Sequence, residues 1–134
     1  MYTRLFIIDS ILKYTMDDNC TVYKTMDYIS KKWTLLILLE IYKGKLSKKR
    51  YSEIKNKIPD ITPKILSSRL KELENEGLIT KHIDATSFPV KSEYALTKVG
   101  LDFIGIIKDI KSWALRWKIH NKLCEQLDCK DCDL

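Results

Sequence analysis

Glycine and proline are scarce in this chain, at four and three among 134 residues. So few breaks favour long helices over a turn-rich β architecture. Histidine is scarcer still, at two, and neither lies beside a pair of carboxylates. There is no HExxH sequence, no nucleophile elbow and no glycine-rich phosphate loop, so the chain reads as a non-enzyme with no cofactor. The longest apolar run, Trp33 to Ile41, falls well short of the roughly 20 residues that cross a bilayer. The first residues carry an early Asp9 and no small-residue cleavage site, which argues against a signal peptide. The expectation is a cytoplasmic protein without membrane contact. In that reducing compartment four cysteines suggest free thiols, a redox sensor or a metal site ahead of disulfides.

What is present is charge, and it is unevenly placed. The chain nets +6, with 24 lysines and arginines against 18 acids. Ten of those bases but only two acids lie between Lys43 and Lys71, so this segment carries +8 and the remainder −2. With 45% hydrophobic residues in 15.8 kDa, the chain can bury one core, not two. A basic cluster on one face of one domain is the electrostatic footprint of a polyphosphate grip.

Periodicity sets that cluster on a helix-turn-helix. Leu5, Ile8 and Leu12 predict a helix over 2–16. A second is expected from Tyr23 to Tyr42 along the stripe Met26, Ile29, Trp33, Leu36, Ile37 and Ile41, with Gly44 as its C′ residue. A short helix from Tyr51 to Ile58 follows, then a turn at Pro59-Asp60. Thr62 caps a helix that begins at Pro63 and runs to Glu76, before Gly77. On it Leu66, Leu70 and Leu73 share one side. Lys64, Ser68, Lys71 and Asn75 lie opposite, Ser67 is on a flank and Arg69 sits beside the leucines. Small hydroxyls let such a face approach DNA closely, and lysines reach phosphates or guanine edges.

After Gly77 the period shortens towards two. Residues 78–84 and 89–96 predict a β-hairpin around the loop Ala85 to Phe88, a wing directly behind the recognition-type helix. Thr97 caps a last long helix whose Phe103, Ile106, Ile107, Ile110, Trp113, Ala114 and Trp117 form an apolar face larger than one domain needs. That face predicts a dimer, together with the N-terminal helix. The expected fold is therefore mainly α with a β-hairpin wing (α+β): a winged helix-turn-helix with N- and C-terminal dimerisation helices over residues 1–122. Residues 123–134 then form a polar, cysteine-containing tail, read as frayed.

The motifs KWTLLIL (32–38), YSEIKNKIPDITPKILSSRLKELENEGLI (51–79) and PVKSEYALT (89–97), closed by Trp113 and Trp117, resemble those of the HxlR-type winged helix-turn-helix regulators. The resemblance covers Cys20 to Trp117. It implies a homodimer on double-stranded DNA that regulates transcription, with the Thr62–Glu76 helix in the major groove and a wing based on Lys81 and Lys91. It also places Cys20 where many relatives carry a cysteine, which in some senses oxidants.

The expected DNA-binding residues are then Lys48, Lys49, Arg50, Ser52, Thr62, Lys64, Ser67, Ser68, Arg69, Lys71, Lys81 and Lys91. The alternative is a thiol- or metal-responsive switch built on Cys20 or the tail, with DNA binding as its output. His120, Cys124, Cys129 and Cys132 offer four donors but only one tight C-x2-C pair for a tetrahedral metal site. A non-specific architectural binder is the third reading. His82 reads as a surface residue, and no small-molecule effector is legible.

Overall fold

The computed structural model describes residues 20–133, so the helix expected over 2–16 lies outside the described residues. The described residues divide into two compact units, 20–32 and 33–133. In the first, α1 (Thr21–Ile29) is capped by Cys20, whose Sγ accepts from the Tyr23 N–H at 3.3 Å. The second holds α2 (Thr34–Tyr42), β1 (Lys48–Arg50), α3 (Tyr51–Lys57), α4 (Pro63–Asn75), β2 (Ile79–Asp84), β3 (Lys91–Leu96), α5 (Lys98–Trp117), α6 (Lys122–Gln126) and a single 3-10 turn, Cys129–Asp131. Helices with a small antiparallel sheet in the order β1-β3-β2 make the expected winged architecture.

One long helix was expected over 23–42; there are two. The Ser30 hydroxyl donates back to the Met26 carbonyl, competing with the helical ladder. Trp33 then takes the left-handed conformation at φ 83°, a strained position for a bulky residue. Beyond it α2 is apolar nearly all round, as suits a central helix. Ile37, Leu38 and Ile41 are fully buried, and α2 packs on α5, β3, β1 and α3.

β1 was not expected, because Lys48-Lys49-Arg50 has no β-branched or aromatic residue to favour a strand. Tertiary pairing makes it: Lys48, Lys49 and Arg50 register with Ala95, Tyr94 and Glu93 of the central strand β3. The hairpin forms close to its expected limits, with Ile79↔Leu96 through Asp84↔Lys91 in register.

α4 ends as its sequence dictates. Gly77, at φ 82°, donates to the Glu74 carbonyl at 3.1 Å and Leu78 to Leu73 at 3.0 Å, the paired bonds of a Schellman motif. The start of α5 is fastened to the same turn. Thr97 donates through Oγ1 to the Gly77 carbonyl (2.6 Å) and through its N–H to Leu78 (3.0 Å), while its hydroxyl caps Gly100 at 3.1 Å.

The tail is not frayed. Lys130 gives its carbonyl to the Gly44 N–H at 2.9 Å, Lys57 Nζ donates to the Asp133 carbonyl at 3.1 Å, and Lys108 pairs with Asp128 at 2.9 Å. Sequence polarity suggested a solvated end; backbone acceptors and paired charges hold it down instead. Among the described residues no helix is long and apolar enough to cross a membrane.

Candidate nucleic-acid interface

The helix-turn-helix is α3 and α4. Thr62 caps α4, its Oγ1 accepting from the Ile65 N–H at 3.2 Å, with Pro63 in the first turn where no N–H is needed. Tyr51 Oη donates to the Pro63 carbonyl at 3.3 Å and Lys55 Nζ to the Pro59 carbonyl at 3.2 Å. These two bonds fix the start of α4 and the turn before it. Leu66, Leu70 and Leu73 are buried, so Thr62, Lys64, Ser67, Ser68 and Lys71 are left exposed along one side. Ser52, in the first turn of α3, is exposed as well, whereas Arg69 is half-buried on the leucine flank.

The pleat of the sheet sorts the remaining basic residues by face. Lys81 pairs with Tyr94, as does Lys49 from the other side. Lys81 joins Ser67, Lys71, Tyr51, Glu74 and Ser92 around a depression of about 380 Å³ between α4 and the hairpin. Lys48, Arg50 and Lys91 belong to the opposite face and line a second depression, of about 270 Å³, with His82, Asp84 and Glu93. Lys48 Nζ stands 3.4 Å from Glu93 there.

Lys49 joins neither group. Its ammonium donates to the Lys43 carbonyl at the end of α2 and to the Lys48 carbonyl at 3.3 Å. Three consecutive bases that read as one anchor in sequence thus split into two outward residues and one inward tether.

Three further residues shape this region. Tyr51, expected only as the first residue of a short helix, reaches across to the Pro63 carbonyl. Tyr94 is 6% exposed, and burial, then the charge of Glu74 and the Tyr51 hydroxyl, pushes its own hydroxyl upward in pKa. Asp84 sets the hairpin tip: it accepts from the Thr86 N–H (3.0 Å), the Thr86 hydroxyl (2.6 Å) and the Ser87 hydroxyl (2.9 Å). Those bonds to the ionised form, Thr86's first, hold its carboxyl down at about 2. The Asp-x-Thr-Ser order was a readable turn signal.

The tail donors do not assemble. His120 is exposed beyond α5, Cys124 lies on α6, Cys129 opens the 3-10 turn and Cys132 follows it. Among the described residues no three histidines, cysteines or acids are placed to hold a metal ion. All four cysteines are free and half-buried.

Residues 28–122 match the model of the HxlR-like helix-turn-helix family. The chain is 37% identical over 94 residues to YvaP, an uncharacterized HTH-type transcriptional regulator of Bacillus subtilis (strain 168), covering 70% of this chain and 83% of that one. Its fold is similar to that of a Porphyromonas gingivalis W83 protein assigned to the MarR family of transcriptional regulators, with a TM-score of 0.66 at 36% identity, over 75% of this chain and 95% of the other. It is also similar to the redox regulator HypR in its oxidized form, with a TM-score of 0.62 at 32% identity, over 75% and 99% of the two chains.

Proposed function

From its membership of the HxlR-like helix-turn-helix family, as a transcriptional regulator with a winged-helix DNA-binding fold, we propose that this chain grips its operator as a homodimer. Each protomer lays α4 in the major groove and sets the hairpin on the adjacent backbone or minor groove. One observation carries this: α4 exposes Thr62, Lys64, Ser67, Ser68 and Lys71 over three buried leucines, beside Lys81. Lys48, Arg50 and Lys91, on the other sheet face, neutralise flanking phosphates.

The dimer rests on α5. Val99, Ile106, Ile110, Trp113 and Trp117 are 48–68% exposed and recur at steps of three, four and seven along the helix, a continuous apolar stripe that water would not leave uncovered. Two copies joined there would read half-sites about 34–36 Å apart.

The test is fluorescence anisotropy with a duplex from upstream of the chain's own gene and a scrambled duplex, at two salt concentrations. Lys64→Ala with Ser68→Ala is expected to reduce the preference between them by about 1–3 kcal/mol. Unchanged discrimination would remove α4 as the reading element. A salt-sensitive affinity equal for both duplexes would point to an architectural binder instead.

A second reading is favoured by the likeness to the redox regulator HypR and by Cys20 at the N-terminus of α1. In it Cys20 senses an oxidant and DNA binding is the output. Cys20→Ser should then bind DNA as the parent does but no longer respond to diamide.

A further inference from the structure

The tail lies beyond the family match, which ends at residue 122, yet it is fastened to several elements of the second unit. Gly44 adopts φ 85° after α2, as a C′ glycine should. Its N–H, however, goes to the Lys130 carbonyl at 2.9 Å, not back to its own helix. The Lys130 ammonium donates to Ser47 Oγ at 2.9 Å and stands 4.6 Å from the centre of the Tyr42 ring. Lys108 reaches the same tyrosine from α5, donating to its hydroxyl at 3.0 Å. Three residues on, the Asp133 carbonyl accepts from Lys57 at the end of α3. Residues 128–133 therefore tie α5, the end of α2 and the first helix of the helix-turn-helix together.

Lys130 is the pin of this clasp, and it sits between Cys129 and Cys132. The Cys132 N–H donates to the Cys129 carbonyl at 3.3 Å, and Asp128 caps the turn through the Lys130 N–H at 2.8 Å. A turn closed in this way brings its end Cα atoms within about 7 Å, near the roughly 4.4–6.8 Å that a disulfide spans. The two residues border different clefts. Cys132 borders one of about 750 Å³ with Glu40, Ile54 and Lys57, and Cys129 borders one of about 670 Å³ with Lys108, Ser112 and Leu115. Bonding them requires Cβ atoms about 3.8 Å apart, and the ring so closed carries Lys130 and Asp131.

We propose that Cys129 and Cys132 form a thiol-controlled clasp: reduced, the tail holds α3 to α2 and α5; oxidised to the Cys129–Cys132 disulfide, it withdraws Lys130 and lets go. The oxidant is a low-molecular-weight disulfide. One cysteine thiolate attacks it, expelling one small thiolate and leaving a mixed disulfide. The second cysteine thiolate displaces the other small thiolate and closes the ring. The two cysteine protons finish on the two released thiols; the pair is oxidised by two electrons and the small disulfide reduced by two.

The experiment uses the full chain carrying Cys20→Ser, so that the first unit contributes no thiol, with oxidised glutathione as the probe. Peptide mapping should find a Cys129–Cys132 bond. Exchange of the Gly44 amide should accelerate about tenfold, the scale set by one hydrogen bond of about 1.4 kcal/mol. The Gly77 amide, bonded to Glu74, should not change. In the same chain with Cys129→Ser and Cys132→Ser the Gly44 rate should ignore the oxidant. A bond that maps elsewhere, or a Gly44 amide as protected after oxidation as before, overturns the clasp. The DNA readout rests on the regulator reading: operator affinity should shift about fivefold or more, and an unchanged affinity alongside a released Gly44 overturns the regulatory part. A chain that binds no duplex in either state refutes the regulator reading, while Gly44 still reports on the clasp.

Discussion

Two glycines of α5 should respond to the same substitution with opposite signs. A Cβ placed on Gly100 would lie 2.1 Å from the Leu78 carbonyl oxygen and 3.1 Å from Leu96 Cδ2, whereas one on Gly105 meets nothing within 4 Å. Helix propensity alone makes Gly→Ala favourable by about 0.8–1 kcal/mol at either site. At Gly100 the obstacle is backbone, already committed to the Thr97 N–H at 3.0 Å, so relief requires the α4–β2 turn to move. Overpacking of this kind costs about 1–3 kcal/mol, and a weakened Thr97 bond adds about 0.5–1.5 kcal/mol. Gly100→Ala should therefore destabilise by about 1–3 kcal/mol net of propensity, and Gly105→Ala should stabilise by up to about 1 kcal/mol. Urea unfolding at one fixed protein concentration reads both, since any dimer makes the midpoint concentration-dependent. A Gly100→Ala chain as stable as its parent would show that the junction of α5 with Leu78 is looser than the structure has it.

Other expectations follow from single contacts. Ile110→Asp on the exposed stripe of α5 should turn a dimer into a monomer by light scattering while helical circular dichroism is kept; an unaltered mass would move the dimer contact elsewhere. Leu70→Ala, at a side chain 1% exposed, should cost about 2–5 kcal/mol of stability in urea, and a smaller loss would mean that the core under α4 collapses around the gap. Lys48→Ala or Arg50→Ala should lower the salt slope of DNA binding by about one, whereas inward-tied Lys49→Ala should reduce stability and leave that slope alone. Asp84 titrates at about 2 in the fold against an ordinary 3.8, so its hold on the hairpin tip is complete above the ordinary value and lost as pH falls through the lower one. The Thr86 amide shift should report that loss between about pH 4 and 2, and a shift unchanged over that range would detach the tip from Asp84.

The elements legible in the sequence were those that carry their own local chemistry. Thr62-Pro63 and Gly77 delimit α4, the leucine spacing gives its buried side, and Thr97 starts α5; each signal acts within one helical turn. Elements made by distant partners were not legible. β1 exists only because β3 offers it a register, and Lys49 turns inward because the Lys43 carbonyl lies there to receive it. The break at Trp33 was hidden by an apolar pattern that runs through it unbroken. The tail read as solvated because its anchors are backbone carbonyls and side chains distant in sequence, Lys108, Ser47 and Tyr42, which no local pattern announces.

One short turn joins everything that would read DNA to everything that would make a dimer. Gly77 and Leu78 end α4 and begin β2, and the carbonyls of both are held by Thr97 at the head of α5. Gly100 seats α5 against Leu78 so closely that no side chain fits between them. A displacement of α5 at this end thus has no slack to absorb it and passes to α4 and to the base of the hairpin together. Past its middle α5 meets the tail, where Lys108 holds Asp128 and Lys111 donates to the Leu127 carbonyl at 2.6 Å. The Asp128 carboxyl is lowered in pKa by the Lys130 N–H and by Lys108, and the Lys108 ammonium is raised by Asp128 and Tyr42. Both groups therefore stay charged across neutral pH, with the contact weakening only in strong acid or strong base. That leaves the thiols of Cys129 and Cys132 as the groups in the contact whose chemistry changes under mild conditions. A signal at those thiols reaches α3 directly, through the Lys57 contact of the tail. The fastening at Thr97 keeps the position of α4 tied to α5 in both states.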